Sequence, residues 1–381
     1  MIKINSKLPS SSESIFAVMS QMAEQYDAIN LSQGFPGYSI NADLIALVNK
    51  YMQRGLNQYA PMIGVPELRS AISKMHLEAS GFEYNLDTEI TITAGATQGL
   101  YTAISSLVGE GDEVIVFEPA YDSYVPAIKA NGGKPIYISL NHPTYKINWE
   151  EVNMRISSKT KMIIINNPHN PSGAVLDDND LKKLSKIVKG SNIIILSDEV
   201  YQHIIFDGQK HCSVANYPEL RDRSLIAGSF GKSLHATGWK IGYILAPDFL
   251  TKEFRSLHQW VVFAINTPIQ YAIAEYISNR ETYLQVNSFL QKKRDFFLEV
   301  MKNSKFIPIP SKGTYFQLMD YSAISNDSDI EFTKWLCQDK KVAAVPVSVF
   351  YHEKTDHKVV RFCFAKENSE LEQAAKLLTN L

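Results

Sequence analysis

Residues 225–240 read LIAGSFGKSLHATGWK and place one lysine among small residues directly after an apolar run. The run Leu225–Gly228 predicts a strand buried on both faces, which would deliver Lys232 into a pocket at its end. The flanking glycines let backbone or ligand approach where a Cβ atom would collide. Burial lowers the pKa of an ammonium group, and the free amine can form a Schiff base with a carbonyl. Lys240 would lower that pKa further or hold an anion. An isolated lysine is more often simply a solvated loop residue, and it is the other candidate residues of the chain that favour the pocket.

Short apolar runs of the same kind recur along the chain and predict the fold. They lie at Ile90–Thr93, Glu113–Phe117, Ile136–Ser139, Met162–Ile165, Ile193–Leu196, Leu225–Ala227 and Ile241–Ala246. These runs do not alternate apolar with polar residues, and most are separated by segments long enough for a helix. We therefore predict an α/β fold with a mainly parallel seven-stranded sheet flanked by helices. Later runs at Gly313–Met319, Val342–Val347 and Val359–Phe364 predict a smaller α+β domain. The expected division is an N-terminal arm that is part of the small domain (1–45), a large domain (46–280) and a small C-terminal domain (281–381). Ser12 is the expected cap of a first helix.

Residues that follow the predicted strands deserve inspection, because ligands of such sheets bind at the carboxyl ends of the strands. Asp198 would be buried and would need a cationic partner, either a protonated pyridine nitrogen or an ordinary lysine. Tyr201 could hydrogen-bond a phenolic oxygen on the same ring. Asn170 lies within two Asn-Pro pairs that enforce a rigid turn, so its amide could donate to a ligand oxygen.

Three further features complete the candidate site. Gly95-Ala96-Thr97 opens a helix with small residues, which suits a phosphate cradle or simply close strand–helix packing. Tyr121 could stack on a flat ring or serve ordinary packing. Arg361 stands alone in an apolar strand, where it would bind a carboxylate bidentately or form an internal salt bridge. Together these groups form the inventory that pyridoxal 5′-phosphate requires.

Composition excludes several other classes of protein. The 381 residues are 45% hydrophobic and 20% charged, which is ordinary for a globular protein, and the net charge of −2 gives no electrostatic case for nucleic acid. Cys212, Cys337 and Cys363 are too few and scattered for a disulfide framework or a zinc site, so we expect no metal and a reducing, cytoplasmic setting. No stretch approaches the roughly 20 apolar residues of a membrane span, and the N-terminus does not resemble a secretory signal.

Three motifs carry a resemblance to a known family. NPHNPSG at 167–173, SDEVY at 197–201 and SFGK…TGWK at 229–240, in that order, resemble class I pyridoxal-phosphate aminotransferases of fold type I. The similarity extends from Leu31 to the C-terminus. Other motifs are most similar to the kynurenine/glutamine transaminase branch and, within it, to bacterial methionine aminotransferases. They are NQYAPM at 57–62, GAT at 95–97, YDSY at 121–124, GTYF at 313–316 and RFCFAK at 361–366.

The resemblance implies a role for each matching residue. Lys232 would be the Schiff-base lysine and proton shuttle, Asp198 would pair with the pyridine nitrogen, and Arg361 would bind the substrate α-carboxylate. Tyr201 and Asn170 would contact the ring phenolate oxygen, and Tyr121 would stack on the ring face. The residues implied at the phosphate are Gly95, Ala96, Thr97, Ser229 and Lys240. Gly34 and Asn170 would contact the substrate. Tyr59 matches a tyrosine that reaches the phosphate of the other subunit, which implies a homodimer. Two positions depart from the family pattern: Lys240 replaces a frequent arginine, and Gly37 a frequent aspartate.

The expected function is therefore transfer of an amino group from a neutral, fairly apolar L-amino acid to a 2-oxo acid. Methionine is the first candidate donor, followed by aromatic amino acids, histidine and glutamine. Kynurenine or glutamine transamination and β-elimination from cysteine S-conjugates remain alternatives. A non-catalytic cofactor-binding regulator would need a DNA-binding domain, and only one short helix is predicted before Leu31. A dinucleotide-dependent dehydrogenase lacks its glycine fingerprint here.

Overall fold

A computed structural model describes residues 6–8 and 13–381 of the chain, and Ser12 lies outside them. The helices in this part are α1 (Ile15–Gln25), α2 (Ala42–Gln53), α3 (Pro66–Ser80), α4 (Gly95–Leu107), α5 (Tyr124–Ala130), α6 (Trp149–Arg155), α7 (Asp178–Val188), α8 (Pro218–Arg221), α9 (Phe230–Ser233), α10 (Asp248–Val261), α11 (Thr267–Ile277), α12 (Glu281–Met301), α13 (Asp329–Gln338) and α14 (Asn368–Leu378). The strands are β1 (Ile29–Asn30), β2 (Ile90–Thr93), β3 (Glu113–Glu118), β4 (Lys134–Ser139), β5 (Thr160–Asn166), β6 (Ile194–Asp198), β7 (Ser224–Ser229), β8 (Gly242–Leu245), β9 (Ile307–Pro308), β10 (Phe316–Asp320), β11 (Val342–Ala343), β12 (Val345–Pro346) and β13 (Val359–Cys363).

Helix ends follow local sequence signals. Helix α3 begins with Pro66, whose missing N–H costs nothing at that position, and it ends before Gly81 in the left-handed conformation with φ of 73°. Helix α7 begins with a capping box, in which Asp177 and Asp180 each accept a hydrogen bond from the other's backbone N–H.

The seven predicted runs form one sheet in the order β2-β8-β7-β6-β5-β3-β4. Strands β3 to β7 run parallel, and β8 is antiparallel to both of its neighbours, β2 and β7. The segment 230–241 between β7 and β8 holds the short helix α9 and a 3₁₀ turn at Thr237–Trp239, too little for a crossover helix, so β8 returns beside β7 in the opposite direction. The prediction of a mainly parallel sheet flanked by helices is confirmed.

Both faces of this sheet are buried. On β5, Met162 and Ile164 pack into a core that includes residues of α4, α5 and α10, whereas Ile163 and Ile165 pack into a core that includes residues of α3, α7 and α11. The alternating side chains of one strand thus enter two separate cores, which explains an apolar run without alternation.

The smaller α+β part contains a four-stranded antiparallel sheet, β12-β13-β10-β9, and a parallel pair, β1-β11. The expectation of one strand over Val342–Val347 is wrong. Val342 pairs with Ile29, whereas Val345 pairs with Arg361, so the chain changes partner at Ala344. Strand β1 thus pairs with a strand of the C-terminal part, while the division of the chain into domains at residues 45 and 280 stays a prediction. Within the described residues, no helix is long and apolar enough to cross a membrane.

Candidate active site

A cavity of about 260 Å³ opens at the carboxyl ends of β5, β6 and β7, beside the first turn of α4. Arg361 and Phe316 of the smaller sheet complete its wall. The predicted site residues that line it are Gly34, Gly95, Ala96, Thr97, Tyr121, Asn170, Asp198, Tyr201, Ser229, Lys232, Lys240 and Arg361. Tyr59 does not line it. The structure therefore brings together every candidate except the one expected to act on another subunit.

Lys232 projects into the cavity from α9, directly after β7. Its Nζ atom donates a hydrogen bond of 2.9 Å to the Tyr315 hydroxyl and one of 3.4 Å to the Gly34 carbonyl oxygen. Burial lowers the pKa of Lys232 to about 8, and the positive charges of Lys240 and Arg361 act in the same direction. The uncharged form of this amine is therefore much more populated at neutral to mildly alkaline pH than that of an ordinary lysine, as a nucleophile requires.

Asp198 lies at the end of β6 with its side chain buried. Its carboxylate accepts hydrogen bonds from the Tyr124 hydroxyl at 2.6 Å and from the Val200 N–H at 3.3 Å. Burial raises the pKa of Asp198 to about 6. In the described chain, no lysine, arginine or histidine nitrogen lies within 4.0 Å of this carboxylate. The ordinary lysine pair that the sequence left open is thus absent there, and the cavity offers a buried anion to a cationic ligand group.

Arg361 on β13 presents the complementary charge. Its guanidinium donates to the Asn170 amide oxygen at 2.9 Å and to the Ser32 carbonyl oxygen at 3.1 Å, and it lies 3.8 Å from the centroid of the Phe316 ring. Its Nε atom is buried without a hydrogen-bond partner. Across residues 6–8 and 13–381, no carboxylate lies within 4.0 Å, so the internal salt bridge is not formed. A buried, unpaired fork of this kind suits a ligand carboxylate.

The first turn of α4 forms an anion cradle. The helix begins at Gly95, which has a φ of 73°, and the Lys240 ammonium lies 3.3 Å from the position that a Cβ atom on Gly95 would take. Any larger residue at 95 would therefore be strained and would also crowd Lys240. Exposed N–H groups of the first turn, the helix dipole and an ammonium group together favour a phosphate.

Several residues at the site were not assigned roles by sequence reasoning. Tyr124 and Tyr315 lie within quoted motifs, but nothing in those motifs indicates that they contact Asp198 and Lys232. Phe16 of α1 and Gln33 also line the cavity, and the Gln33 amide donates to the Phe16 carbonyl oxygen at 2.9 Å. The other lining residues of this kind are Leu100, Asn166, Val200, Gly231, Thr237, Ile241 and Phe316. Because a buried carboxylate needs a hydrogen-bond donor, the sequence predicts that Asp198 has one, but it does not indicate which residue supplies it.

Exposed aromatic side chains lie away from the cavity. Tyr59 is 83% exposed and contacts Phe263 edge to face, with ring centroids 5.3 Å apart. Phe263 is 54% exposed, and Trp260, three residues earlier, is 82% exposed. Large aromatic groups left in water mark a candidate contact surface.

The chain belongs to the class I and II aminotransferase family, whose model matches residues 26–378. It is therefore a transferase that depends on pyridoxal 5′-phosphate, with the fold of that group of enzymes.

Individual relatives match nearly end to end. The chain is 44% identical to the methionine aminotransferase of Escherichia coli over 377 residues, which cover 99% of this chain and 98% of that protein. It is 32% identical to human kynurenine–oxoglutarate transaminase 1, with 92% of each chain covered. The solved structure of YbdL from Escherichia coli, described as having a methionine aminotransferase function, superposes with a TM-score of 0.98 at 44% identity and covers all of both chains.

Proposed function

We propose that this aminotransferase takes its amino group from a neutral, fairly apolar L-amino acid, methionine first, and that Lys232 is its catalytic lysine. The observation that carries the proposal is a pair of unpartnered, buried, opposite charges on the wall of one cavity. Asp198 and Arg361 each lack an ion-pair partner among the described residues, and the Lys232 amine opens into the same space.

The cavity residues fit pyridoxal 5′-phosphate. When bound, this cofactor supplies an electron-withdrawing ring and a carbonyl carbon that exchanges between amines. Asp198 would hold a proton on the ring nitrogen, since a buried carboxylate is stabilised by an adjacent cation. The cradle at Gly95 to Thr97, with Ser229 and Lys240, suits the phosphate.

The remaining residues orient the substrate and move its proton. Arg361 would bind the α-carboxylate, and Asn170 holds that guanidinium through its amide oxygen while its amide nitrogen is left to donate. The uncharged Lys232 amine would take the proton from the substrate Cα and deliver it to the cofactor carbon that receives the amino group. Tyr121 would cover the ring face and Tyr201 would donate to a ring oxygen.

The cavity wall supports a neutral, apolar side chain. Phe16 and Phe316 contribute aromatic surface, and Arg361 is the only arginine among the described residues of the lining. A dicarboxylate substrate would require a second cation beyond those placed at the cofactor. The similarity to a methionine aminotransferase over 99% of the chain supports methionine as the donor. The similarity to kynurenine transaminases keeps glutamine, aromatic and kynurenine donors, together with β-elimination, as the second candidate.

The proposal includes a homodimer located in the cytoplasm. Tyr59 matches a cofactor-binding position but lies exposed and away from its own cavity, beside exposed Phe263. A second copy that covers this surface would receive Tyr59 at its own phosphate. The three cysteines are free thiols, which agrees with a reducing compartment.

The test is a visible absorption spectrum of the purified protein loaded with cofactor, before and after addition of L-methionine. We expect the lysine-bound band to convert to that of the amino form, fastest with methionine in a series of amino acids. Lys232→Ala should lack the initial band, whereas the exposed control Lys252→Ala should keep it. A persistent band in Lys232→Ala, or faster conversion by glutamine or kynurenine, would contradict the lysine or the donor, respectively. Release of pyruvate and ammonia from a cysteine S-conjugate without an oxo acid would indicate a lyase.

A further inference from the structure

The Tyr315 hydroxyl joins Lys232 to Gly34, which lies in the segment 31–41 between β1 and α2, called the Gly34 loop below. It is fully buried, it accepts the 2.9 Å hydrogen bond from Lys232, and it donates a 2.5 Å hydrogen bond to the Gly34 carbonyl oxygen. Lys232 also donates to that carbonyl at 3.4 Å. Three groups from distant parts of the chain therefore form a closed triangle around the lysine nitrogen.

The direction of these hydrogen bonds determines their effect on the amine. Burial and the neighbouring Tyr201 raise the pKa of Tyr315 well above its ordinary value, so the hydroxyl keeps its single proton. That proton is committed to Gly34, which leaves only an oxygen lone pair to face Lys232. An acceptor next to an amine favours the charged ammonium form, and it opposes the effect of burial.

The backbone before Tyr315 is held in a costly conformation. Thr314 is a β-branched residue with φ of 67°, a region that side chains of this type rarely adopt. Its N–H donates to the Ile204 carbonyl oxygen at 3.0 Å, and its hydroxyl oxygen accepts from the Phe316 N–H at 3.1 Å. A Cβ atom on Gly313 would lie 2.8 Å from the Ile204 carbonyl oxygen. The turn is thus fixed on several sides, and the tyrosine that follows has little freedom to move.

We propose that Tyr315 is a positioning residue that couples the protonation of Lys232 to the placement of the Gly34 loop. With the loop in place, the hydroxyl is oriented as an acceptor and holds the lysine nitrogen as a hydrogen-bond donor. When the loop moves away, the hydroxyl is free to rotate and donate to the amine, which favours the uncharged base. This inference rests on the proposed role of Lys232.

The test measures the pKa of Lys232 directly in the full-length protein without cofactor. Trace acetylation with acetic anhydride across a pH series, followed by mass spectrometry of the Lys232 peptide, reports the uncharged fraction, with exposed Lys252 as internal reference. Tyr315→Phe should lower the midpoint of the Lys232 titration by about one pH unit, because the charged Lys232 ammonium loses a hydrogen-bond acceptor. Gly34→Ala should shift it in the same direction, since its Cβ would lie 3.0 Å from the Phe316 ring and displace the loop.

Tyr321→Phe is the matched control, because Tyr321 is equally buried and donates to a backbone carbonyl, that of Asp327 at 2.9 Å, but does not contact Lys232. Its midpoint should equal that of the wild type. Unchanged midpoints in both Tyr315→Phe and Gly34→Ala would overturn the inference.

Borohydride reduction of the loaded protein separates this failure from failure of the proposed function. Cofactor fixed on Lys232 with unchanged midpoints would refute the coupling alone. Cofactor fixed on another lysine would refute both.

Discussion

Replacement of Arg361 by methionine should separate stability from activity. The guanidinium is buried, packs on Phe316 and has no carboxylate partner among the described residues, so its burial costs free energy that an apolar side chain does not. Its loss also removes two hydrogen bonds donated by this charged group, to Asn170 and Ser32, worth about 1.5–3 kcal/mol each. Because these contributions oppose each other, we expect the free energy of unfolding to change by no more than about 1 kcal/mol.

Activity should respond very differently to the same substitution. A bidentate contact with the substrate carboxylate contains two charge-assisted hydrogen bonds of about 1.5–3 kcal/mol each, so their loss should lower kcat/KM for L-methionine by about 10²–10⁴-fold. Arg361→Lys keeps the charge but not the planar fork, so its kcat/KM should lie between that of the wild type and that of Arg361→Met.

The assay compares L-methionine with 3-(methylthio)propylamine, its analogue without the carboxylate. Wild-type enzyme should discriminate strongly between them in the conversion of bound cofactor, and Arg361→Met should not. Thermal unfolding of each variant gives the stability. An equal loss of rate with both substrates would show that Arg361 does not recognise the carboxylate. Unfolding of Arg361→Met many degrees earlier would show that Arg361 serves the fold.

Three further outcomes are expected. Burial raises the pKa of Asp198 in the folded protein from 3.8 to about 6, so ionisation of this carboxyl destabilises the cofactor-free fold by about 3 kcal/mol as the pH rises from about 4 through 6. Asp198→Asn should therefore stabilise the cofactor-free protein against thermal unfolding at pH 8 but not at pH 4. Equal gains in stability at both pH values would contradict this. Gly95→Ala should lower the free energy of unfolding by about 1–2 kcal/mol through its positive φ and should release cofactor faster on dialysis. Gly81→Ala, with the same φ of 73° and open space around it, should lose stability but keep its cofactor. Equal cofactor retention in both variants would refute the crowding of Lys240. Mixed subunits carrying Tyr59→Ala and Lys232→Ala should recover up to about a quarter of wild-type activity if sites are shared, because half of the dimers then hold one intact site; no recovery on demonstrated subunit exchange would contradict the shared site.

The sequence was sufficient to predict which residues meet in the cavity where their place follows from the strand that precedes them. Asp198 and Lys232 follow apolar strands, and ligands of a parallel sheet bind at that edge, so their presence in one cavity needed no knowledge of the packing. The same reasoning placed Asn170 and Tyr121.

Residues that act through distant contacts could not be found in this way. Tyr124 lies 74 positions from Asp198, and Tyr315 lies 83 positions from Lys232. Their hydroxyl contacts depend on how α5 and the smaller sheet dock, which no local pattern encodes. The division of Val342–Val347 between two sheets has the same origin, since each half is apolar and only the competing partners, Ile29 and Arg361, distinguish them.

The order of the site along the chain has a consequence for its synthesis. Asp198 ends β6 and Lys232 follows β7 of the large sheet, whose last strand, β8, ends at Leu245. Tyr315, directly before β10, and Arg361, on β13, are made later. Strand β1 also waits for β11, more than 300 positions further on, before it has a partner. A growing chain can therefore close its cofactor-binding sheet well before it gains the arginine for the substrate carboxylate. The residues proposed to hold the cofactor, from Gly95 to Lys240, are therefore all synthesised before the residue proposed to bind the substrate carboxylate.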